Sequence, residues 1–401
     1  MRVMIDITST LGTVTGIGRY TQQLLEHLPK IAPKYRFDVH PNPWLFRFRQ
    51  YCKRMCVPKD PASPPTSLHR KLFSPRRWFL RSLKQLNHFL PPIYSRYFLS
   101  RLRFDLYHET NYIPIACGIP TVTTFHDLSI IHHPEWHPKE RVDWFEKHLP
   151  RSYSQSRHFI TDTESVRQEM IRDLGIPAEK ITRVWCGIRS DLERLSPEEC
   201  APVLERLNLP SSFLLHVGTI EPRKNLHLLM KAYSDLPNSL RDRCPLVLVG
   251  QWGWNYTQAA EYFQSTGKHK NIRQIGYVSD ADLPALYSSA RSLVFPTHYE
   301  GFGIPPLEMM GCGGAVIAST ADSVREMTGG FAPLIEPLDL AGWRDALQKA
   351  IVEDDWIAML REGVVEHARQ FTWERTAVET LQVYHQVLGA KKAAPPLRKA
   401  A

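Results

Sequence analysis

The chain has 401 residues, of which 43% are hydrophobic and 23% are charged, and its formal net charge is +9. At about 100–200 residues per domain, this length predicts two or three domains, and the composition excludes a wholly disordered chain. No run reaches the roughly 20 uncharged apolar residues of a membrane-spanning helix. The seven cysteines are odd in number and scattered, which argues against a disulfide framework and indicates a reducing compartment.

The order of apolar runs along the chain predicts an α/β protein. The first stretch, MRVMIDITST, contains Asp6 and has no signal-peptide h-region, so it predicts a buried strand in a cytoplasmic protein. Strands are predicted at Val3–Ile7, Val122–Phe125, Phe213–Val217, Leu246–Val249, Leu293–Phe295 and Ala315–Ala318. Helices are predicted between them, at Tyr20–Leu28, Ser165–Leu174 and Leu226–Tyr233. This alternation indicates parallel sheets built from βαβ units.

The pattern starts afresh near residue 211, after a polar, proline-containing stretch that predicts a linker at 190–210. A last amphipathic helix is predicted after Thr372, which suits an N-cap. The predicted organisation is an N-terminal, acceptor-side domain over 1–200, a second domain over 201–372, a helix over 373–390 and a disordered tail over 391–401. Ligands of such sheets bind outside the carboxyl ends of the strands, so we expect the active site in a cleft between the domains.

The stretch LVFPTHYEGFGIPPLEMMGCGGAVIAS carries the most informative motif. A strand ends at Pro296, a glycine-containing loop holds Glu300, and Pro305 and Pro306 suit the first turn of a helix that carries Glu308. The helix N-terminus suits a diphosphate. Carboxylates do not favour phosphate, so the two glutamates are expected to bind hydroxyls of a sugar and of a ribose. The spacing alone is equally compatible with a solvated helix residue and an exposed loop residue.

Glu300-x7-Glu308 resembles the donor-site signature of glycosyltransferase family 4. Other segments are similar to the same family: TGIGRYTQQLLEHL, FHDLSIIHHPEWHP, VGTIEPRKNLHLLMKAY and GYVSDADLPALYSSARSLVFPT. The resemblance implies the GT-B fold, with two facing Rossmann-like domains, and transfer of a hexose from a nucleotide diphosphate sugar with retention of configuration. It is specific for the family and much less specific for the substrate.

Carried onto this sequence, the resemblance implies a role for each donor-site residue. Glu300 would bind the transferred sugar, Glu308 the ribose, and Lys224 the diphosphate, whose growing negative charge a cation stabilises. The backbone of three residues would meet the sugar and the diphosphate: Phe302, Gly303 and Ile304. His126, at the carboxyl end of a strand, would face the donor sugar or the acceptor, with Asp127 as its orienting neighbour. The residues expected to carry catalysis are His126, Glu300 and Lys224.

Two further features bear on the phosphates. Many family members have an arginine where this chain has Thr219. The diphosphate is therefore expected to be held either by fewer cations or by Arg223, and the alternative for Arg223 is that it faces solvent. Subgroups that use GDP-sugars share GTIEPRKN, which favours a GDP-linked mannose-like or deoxyhexose donor. Gly16 and Gly18 resemble the family loop that approaches the donor phosphate and the acceptor, although such glycines alone mark only a tight turn.

The resemblance implies no metal and no cofactor besides the nucleotide sugar, since Lys224 and the helix end replace a metal ion. His132, His133 and His137 suggest a metal site, but they share a Pro-rich loop that recurs in similar sequences, which argues against one. The run from Asp280 to Asp282 resembles a metal-binding DxD motif, but Ser279 and Asp282 also fit a helix capping pair.

Residues 41–103 contain 14 Lys or Arg and one acid, Asp60, which gives this segment a net charge of +13 and leaves −4 for the rest. The basic residues alternate with aromatic ones, which is typical of a surface that lies on anionic lipid. A basic insertion on the face of the first domain is the alternative, and no motif supports nucleic-acid binding.

The family resemblance implies a hexosyltransferase of cell-surface polysaccharide or lipopolysaccharide biosynthesis, with a saccharide or lipid-linked acceptor. The basic segment predicts that it is peripheral on the inner face of the membrane. The alternatives are a sugar-nucleotide epimerase with the same fold and an inactive sugar-nucleotide-binding subunit. The pairing of EPRKN with EGFGIPPLE speaks against the epimerase.

The membrane hypothesis predicts that the protein floats with liposomes that contain anionic lipid and stays behind with neutral ones. Each basic residue near an anionic surface contributes about 1 kcal/mol, so 0.5 M salt should release the protein. Failure to float with anionic liposomes at low salt would contradict it.

Overall fold

The computed structural model describes residues 1–11, 16–40 and 103–389. Contacts divide the chain into two units. Unit 1 takes the described parts of 1–124, 148–159 and 381–395, and unit 2 takes 125–147 and 160–380. The basic segment, apart from Arg103, and the predicted disordered tail lie outside the described residues.

The described residues form two six-stranded sheets. The first has the order β2-β1-β3-β4-β5-β6 and the second the order β12-β11-β10-β7-β8-β9. The strands of the first sheet are β1 Arg2–Asp6, β2 Arg36–His40, β3 Leu106–Glu109, β4 Thr121–Phe125, β5 Ser156–Thr161 and β6 Ile181–Arg183. Those of the second are β7 Leu214–Val217, β8 Leu246–Val249, β9 Ile272–Gly276, β10 Ser292–Phe295, β11 Ala315–Ser319 and β12 Leu334–Ile335.

Helices connect these strands. They are α1 Gly16–Ile31, α2 Ser129–His132, α3 Lys139–Gln155, α4 Glu164–Leu174, α5 Pro197–Arg206, α6 Leu226–Ser234, α7 Asn238–Arg243, α8 Thr257–Ser265, α9 Leu283–Ser289, α10 Ile304–Gly311, α11 Asp322–Thr328, α12 Leu340–Val352, α13 Asp354–Leu360, α14 Val364–Ala368 and α15 Trp373–Val387. Every residue of β4, β8, β10 and β11 is buried, as parallel strands covered on both faces require. Within the described residues, none of the helices is both long and apolar enough to cross a membrane.

The order in which the chain adds strands to the second sheet reverses between β7 and β10. The chain runs outward from β7 to β8 and β9, then returns to β10 on the other side of β7, with Ser292 beside Leu214 in parallel register. The carboxyl ends of β7 and β10 are therefore neighbours at a topological switch point, where open α/β sheets bind ligands. The segments that follow these two strands contain Lys224 and Glu300.

The alternation of strands and helices predicted from the sequence is confirmed. β8 has the predicted bounds and β1 is shifted by one residue. The predicted cap of the last helix is also confirmed, because the Thr372 hydroxyl accepts a hydrogen bond from the Arg375 N–H at 3.2 Å.

Two local predictions are wrong. Much of the predicted linker at 190–210 forms α5, because Ser196 and Glu199 make a reciprocal capping box and a proline in the first turn loses no helical hydrogen bond. Ser279 does not cap α9: its hydroxyl donates to Asp282 at 2.7 Å, and the other oxygen of Asp282 binds Arg206 at 2.5 Å. Asp282 itself precedes α9 without a side-chain capping bond.

Candidate active site

The EPRKN segment is fixed against the end of β10 by Asn225. Pro222–Lys224 form one 3₁₀ turn, and Asn225 follows in the left-handed conformation with φ 56° before α6 begins. Asparagine tolerates this conformation better than most residues. Its side-chain amide donates to the carbonyls of Pro296 at 3.1 Å and Pro337 at 2.6 Å. The two segments of the switch point are thereby joined, through a residue to which the sequence analysis gave no role.

Glu300 is a buried carboxylate held between two cations. It is 7% exposed; Oε1 binds Lys224 Nζ and Oε2 binds Arg223 Nη1 at 2.8 Å. The Thr297 hydroxyl lies 3.0 Å from Oε1. Burial favours the neutral acid, but the charges of Arg223 and Lys224 outweigh it and hold the pKa of Glu300 below its ordinary value. The exposed loop glutamate that spacing alone allowed is therefore excluded.

Arg223 joins three carboxylates. Its Nη2 lies 2.9 Å from Glu221 Oε1, its Nη1 binds Glu300, and Nη1 is 3.9 Å from Asp127 Oδ2. Burial lowers the pKa of the guanidinium, but Glu300, Glu221 and Asp127 reverse that effect and raise it above the ordinary value. Arg223 is thus permanently charged and mostly buried, and the predicted alternative of a solvent-facing Arg223 is wrong.

His126 is oriented by Asp162, a residue that no sequence motif indicated. His126 follows β4 and Asp162 follows the neighbouring strand β5, with Nδ1 and Oδ2 2.7 Å apart. This contact places the proton of a neutral ring on Nδ1 and makes Nε2 the accepting nitrogen. Asp127, the predicted orienting neighbour, accepts hydrogen bonds from the N–H and hydroxyl of Ser129 at 2.9 and 2.7 Å, and its part in orienting the ring stays a prediction.

The loop that carries Glu300 lies directly against His126. A Cβ atom added to Gly301 would sit 1.9 Å from the carbonyl oxygen of His126, so only glycine permits this approach. The Gly301 carbonyl accepts a hydrogen bond from the Thr163 hydroxyl at 2.9 Å, and the Glu300 carbonyl accepts one from Ser323 at 2.5 Å. These contacts place the backbone of His126 beside the loop that carries Glu300.

The helix after this loop begins as predicted. Gly303 has φ 109° and precedes α10, which starts at Ile304 with Pro305 and Pro306 in its first turn. Glu308 is 4% exposed, and its Oε2 accepts a hydrogen bond from the Tyr287 hydroxyl at 2.9 Å. The solvated Glu308 that spacing also allowed is therefore excluded. Phe302 is buried and its ring makes a T-shaped contact with that of Phe371, which leaves its backbone as the part suited to a ligand.

Thr219 is an exposed residue beside the loop that follows β8. The loop after β8 is hydrogen-bonded to the next residue, Ile220. The Ile220 N–H donates to the Gln251 carbonyl and the Gly253 N–H donates to the Ile220 carbonyl, both at 2.9 Å. A Cβ added to Gly253 would lie 2.6 Å from Thr219 Cγ2. An exposed threonine therefore stands where the family resemblance leads us to expect an arginine.

Side-chain contacts unite three predicted residues, Lys224, Arg223 and Glu300. Backbone packing places His126 beside the same loop, and Glu308 lies on the adjoining helix. Gly16 and Gly18 lie in unit 1, in the first turn of α1, outside this network. The network offers a cation, a helix N-terminus and buried carboxylates, which together suit a ligand with both phosphate and hydroxyl groups.

Comparisons with known proteins agree with this geometry. The model for "Glycosyltransferase Family 4" matches residues 14–192, and that for "Glycosyl transferases group 1" matches 205–369. An Escherichia coli protein described as "O-antigen chain mannosyltransferase B" is 33% identical over 376 residues, which are 92% of this chain and 96% of that protein.

Two solved structures share the fold. Sucrose-phosphate synthase from Thermosynechococcus elongatus has a TM-score of 0.70 at 19% identity, with 98% of this chain and 100% of that chain covered. Anabaena HepE in complex with UDP-glucose has a TM-score of 0.66 at 16% identity, with 96% and 100% covered. The expected GT-B fold is confirmed, and the chain belongs to glycosyltransferase family 4.

Proposed function

We propose that this glycosyltransferase moves a mannosyl residue from a GDP-linked donor to a saccharide or lipid-linked acceptor in the synthesis of an O-antigen-like surface polysaccharide. The observation that carries the proposal is the buried Glu300–Lys224–Arg223 cluster at the switch point of the second sheet. The choice of mannose and of an O-antigen-like product is supported by the relative that is 33% identical. The choice of guanine as the base is supported by the GTIEPRKN segment.

The donor residues divide between the phosphate and the hydroxyl parts of the nucleotide sugar. Lys224 and the N-terminus of α10 bind the diphosphate, for which the helix dipole contributes about 0.3–1 kcal/mol. Glu300 accepts hydrogen bonds from the sugar hydroxyls and Glu308 from the ribose. The resemblance adds Arg223 as a donor-site residue, and the backbone from Phe302 to Ile304 follows the diphosphate.

The reaction breaks the bond between C1 of the sugar and the diphosphate oxygen and forms a bond from C1 to the acceptor oxygen. In a retaining transfer the acceptor attacks the face that the diphosphate leaves, and the hydroxyl proton passes to the departing phosphate oxygen. Lys224 stabilises the charge that develops there. His126, with its proton held on Nδ1 by Asp162, presents Nε2 as an acceptor to a sugar or acceptor hydroxyl.

In this proposal the acceptor binds to unit 1, at Gly16 and Gly18 in the first turn of α1. A lipid-linked acceptor would bring the enzyme to the cytoplasmic face of a membrane, and the basic segment 41–103 would hold it there. The liposome experiment described above tests this part separately from the chemistry.

The donor assignment predicts selective thermal stabilisation by GDP-mannose over UDP-, ADP- and dTDP-sugars. A ligand at 100 times its dissociation constant adds about 2.7 kcal/mol to the free energy of unfolding. Glu308→Ala should remove most of the shift, because the ribose loses its carboxylate partner. As a control, Glu366→Ala on α14 should leave it unchanged. A thermal shift that survives Glu308→Ala would contradict the assignment of Glu308 to the donor site. Stabilisation by another nucleotide sugar alone would contradict the assignment of guanine as the donor base.

The His126–Asp162 pair predicts a loss of turnover without loss of donor binding. In Asp162→Asn the amide can donate to Nδ1 and reverse the tautomer, so kcat should fall at least about tenfold while the dissociation constant for GDP stays within about twofold. Asp173→Asn is a matched control, since Asp173 lies 3.0 Å from His132. An unchanged kcat in Asp162→Asn would contradict the role given to the pair.

A further inference from the structure

We infer that Arg223 is a positioning residue for Glu300 and does not bind the diphosphate, and that Lys224 alone changes partner, from Glu300 to the diphosphate, when the donor binds. This inference rests on the proposed function, because it assigns separate tasks to two adjacent cations of the donor site. It replaces the expectation that Arg223 compensates for Thr219 as a phosphate ligand.

The guanidinium of Arg223 already has its partners. Nε and Nη2 lie 3.3 and 2.9 Å from Glu221 Oε1, and Nη1 lies 2.8 Å from Glu300 Oε2 and 3.3 Å from the Tyr299 carbonyl. A planar guanidinium makes such contacts only in a fixed orientation. Rotation towards a phosphate would break bonds to two carboxylates at once.

The two carboxylates that bind Arg223 are too buried to stay charged without a counter-charge. The side chains of Glu221 and Glu300 are 5% and 7% exposed, and that of Arg223 is 16% exposed. Removing one partner from a buried ion pair is strongly destabilising, because an uncompensated charge remains. The backbone adds to this rigidity, since the Arg223 carbonyl accepts hydrogen bonds from the His298 N–H at 2.8 Å and the Thr297 hydroxyl at 3.0 Å.

Lys224 is bound less extensively. Among the residues that the structure describes, its Nζ has one carboxylate within 4 Å, that of Glu300. Its ammonium is a point charge on a flexible stem, which can exchange one anion for another without a required plane. When Lys224 moves to the diphosphate, Glu300 keeps Arg223 as a counter-charge and Thr297 as a hydrogen-bond partner. Glu300 therefore stays ionised, with Oε1 released to accept from the sugar hydroxyls.

This division of tasks makes a specific prediction for binding of GDP, which has the diphosphate but no sugar. Glu300→Gln should tighten GDP at least about threefold, because the carboxylate no longer competes for Lys224. Arg223→Gln should weaken GDP, because Glu300 then retains Lys224 as its remaining cation. In the Glu300→Gln background, however, Arg223→Gln should change GDP affinity by less than about twofold.

Titration calorimetry of the wild type, Glu300→Gln, Arg223→Gln and the double variant completes this double-mutant cycle. A direct phosphate ligand would instead give a loss of about tenfold or more from Arg223→Gln in both backgrounds, consistent with a charge-assisted hydrogen bond, and that result would overturn the inference. Unchanged GDP affinity in Glu300→Gln would overturn it as well.

The controls separate misfolding and a wrong function from a wrong inference. Arg291→Gln is matched in burial, since its side chain is 18% exposed and binds Asp354 at 2.8 Å, and it should leave GDP affinity unchanged. Arg223→Lys keeps the charge without the planar fork and should recover part of the kcat lost in Arg223→Gln. Wild-type protein that binds neither GDP nor UDP would refute the proposed function itself, whereas binding without coupling between Arg223 and Glu300 would refute this inference alone.

Discussion

The ion pair between the buried carboxylate of Glu300 and the two cations Lys224 and Arg223 is the interaction on which the site depends. A carboxylate with 7% exposure stays ionised only when positive charge offsets the loss of water. An ionised carboxylate is also the group that binds sugar hydroxyls strongly. In the proposed donor site, the same cations that stabilise Glu300 in the folded chain would therefore prepare it for the sugar hydroxyls.

The fold supplies this interaction through neighbouring strand ends. β7 and β10 are adjacent in the second sheet although some 75 residues separate them in sequence, so the segments after them meet at the switch point. Asn225 ties one segment to Pro296, Ser323 binds the Glu300 carbonyl, and Gly301 permits contact with His126. Each of these residues constrains backbone rather than substrate, which explains why small or conformationally permissive side chains occupy these positions.

Much of this arrangement could be predicted from the sequence, and the exceptions share a cause. Proline at the start of α10 and apolar runs along β8 or β10 are local signals, and they gave the elements correctly. The family motif predicted Glu300, Glu308 and Lys224 as donor-site residues, and the structure buries all three. Asp162 could not be predicted because its partner His126 is 36 residues away in the sequence. The capping box of α5 was a local signal that the prolines in the same stretch obscured.

The most direct measurement of the central claim is a crystal structure with GDP-mannose bound. The account predicts the diphosphate at the N-terminus of α10, Lys224 Nζ within about 3 Å of a phosphate oxygen and no longer on Glu300, and Arg223 still bonded to Glu300 and Glu221. A diphosphate held by Arg223, with Lys224 still paired to Glu300, would contradict the account.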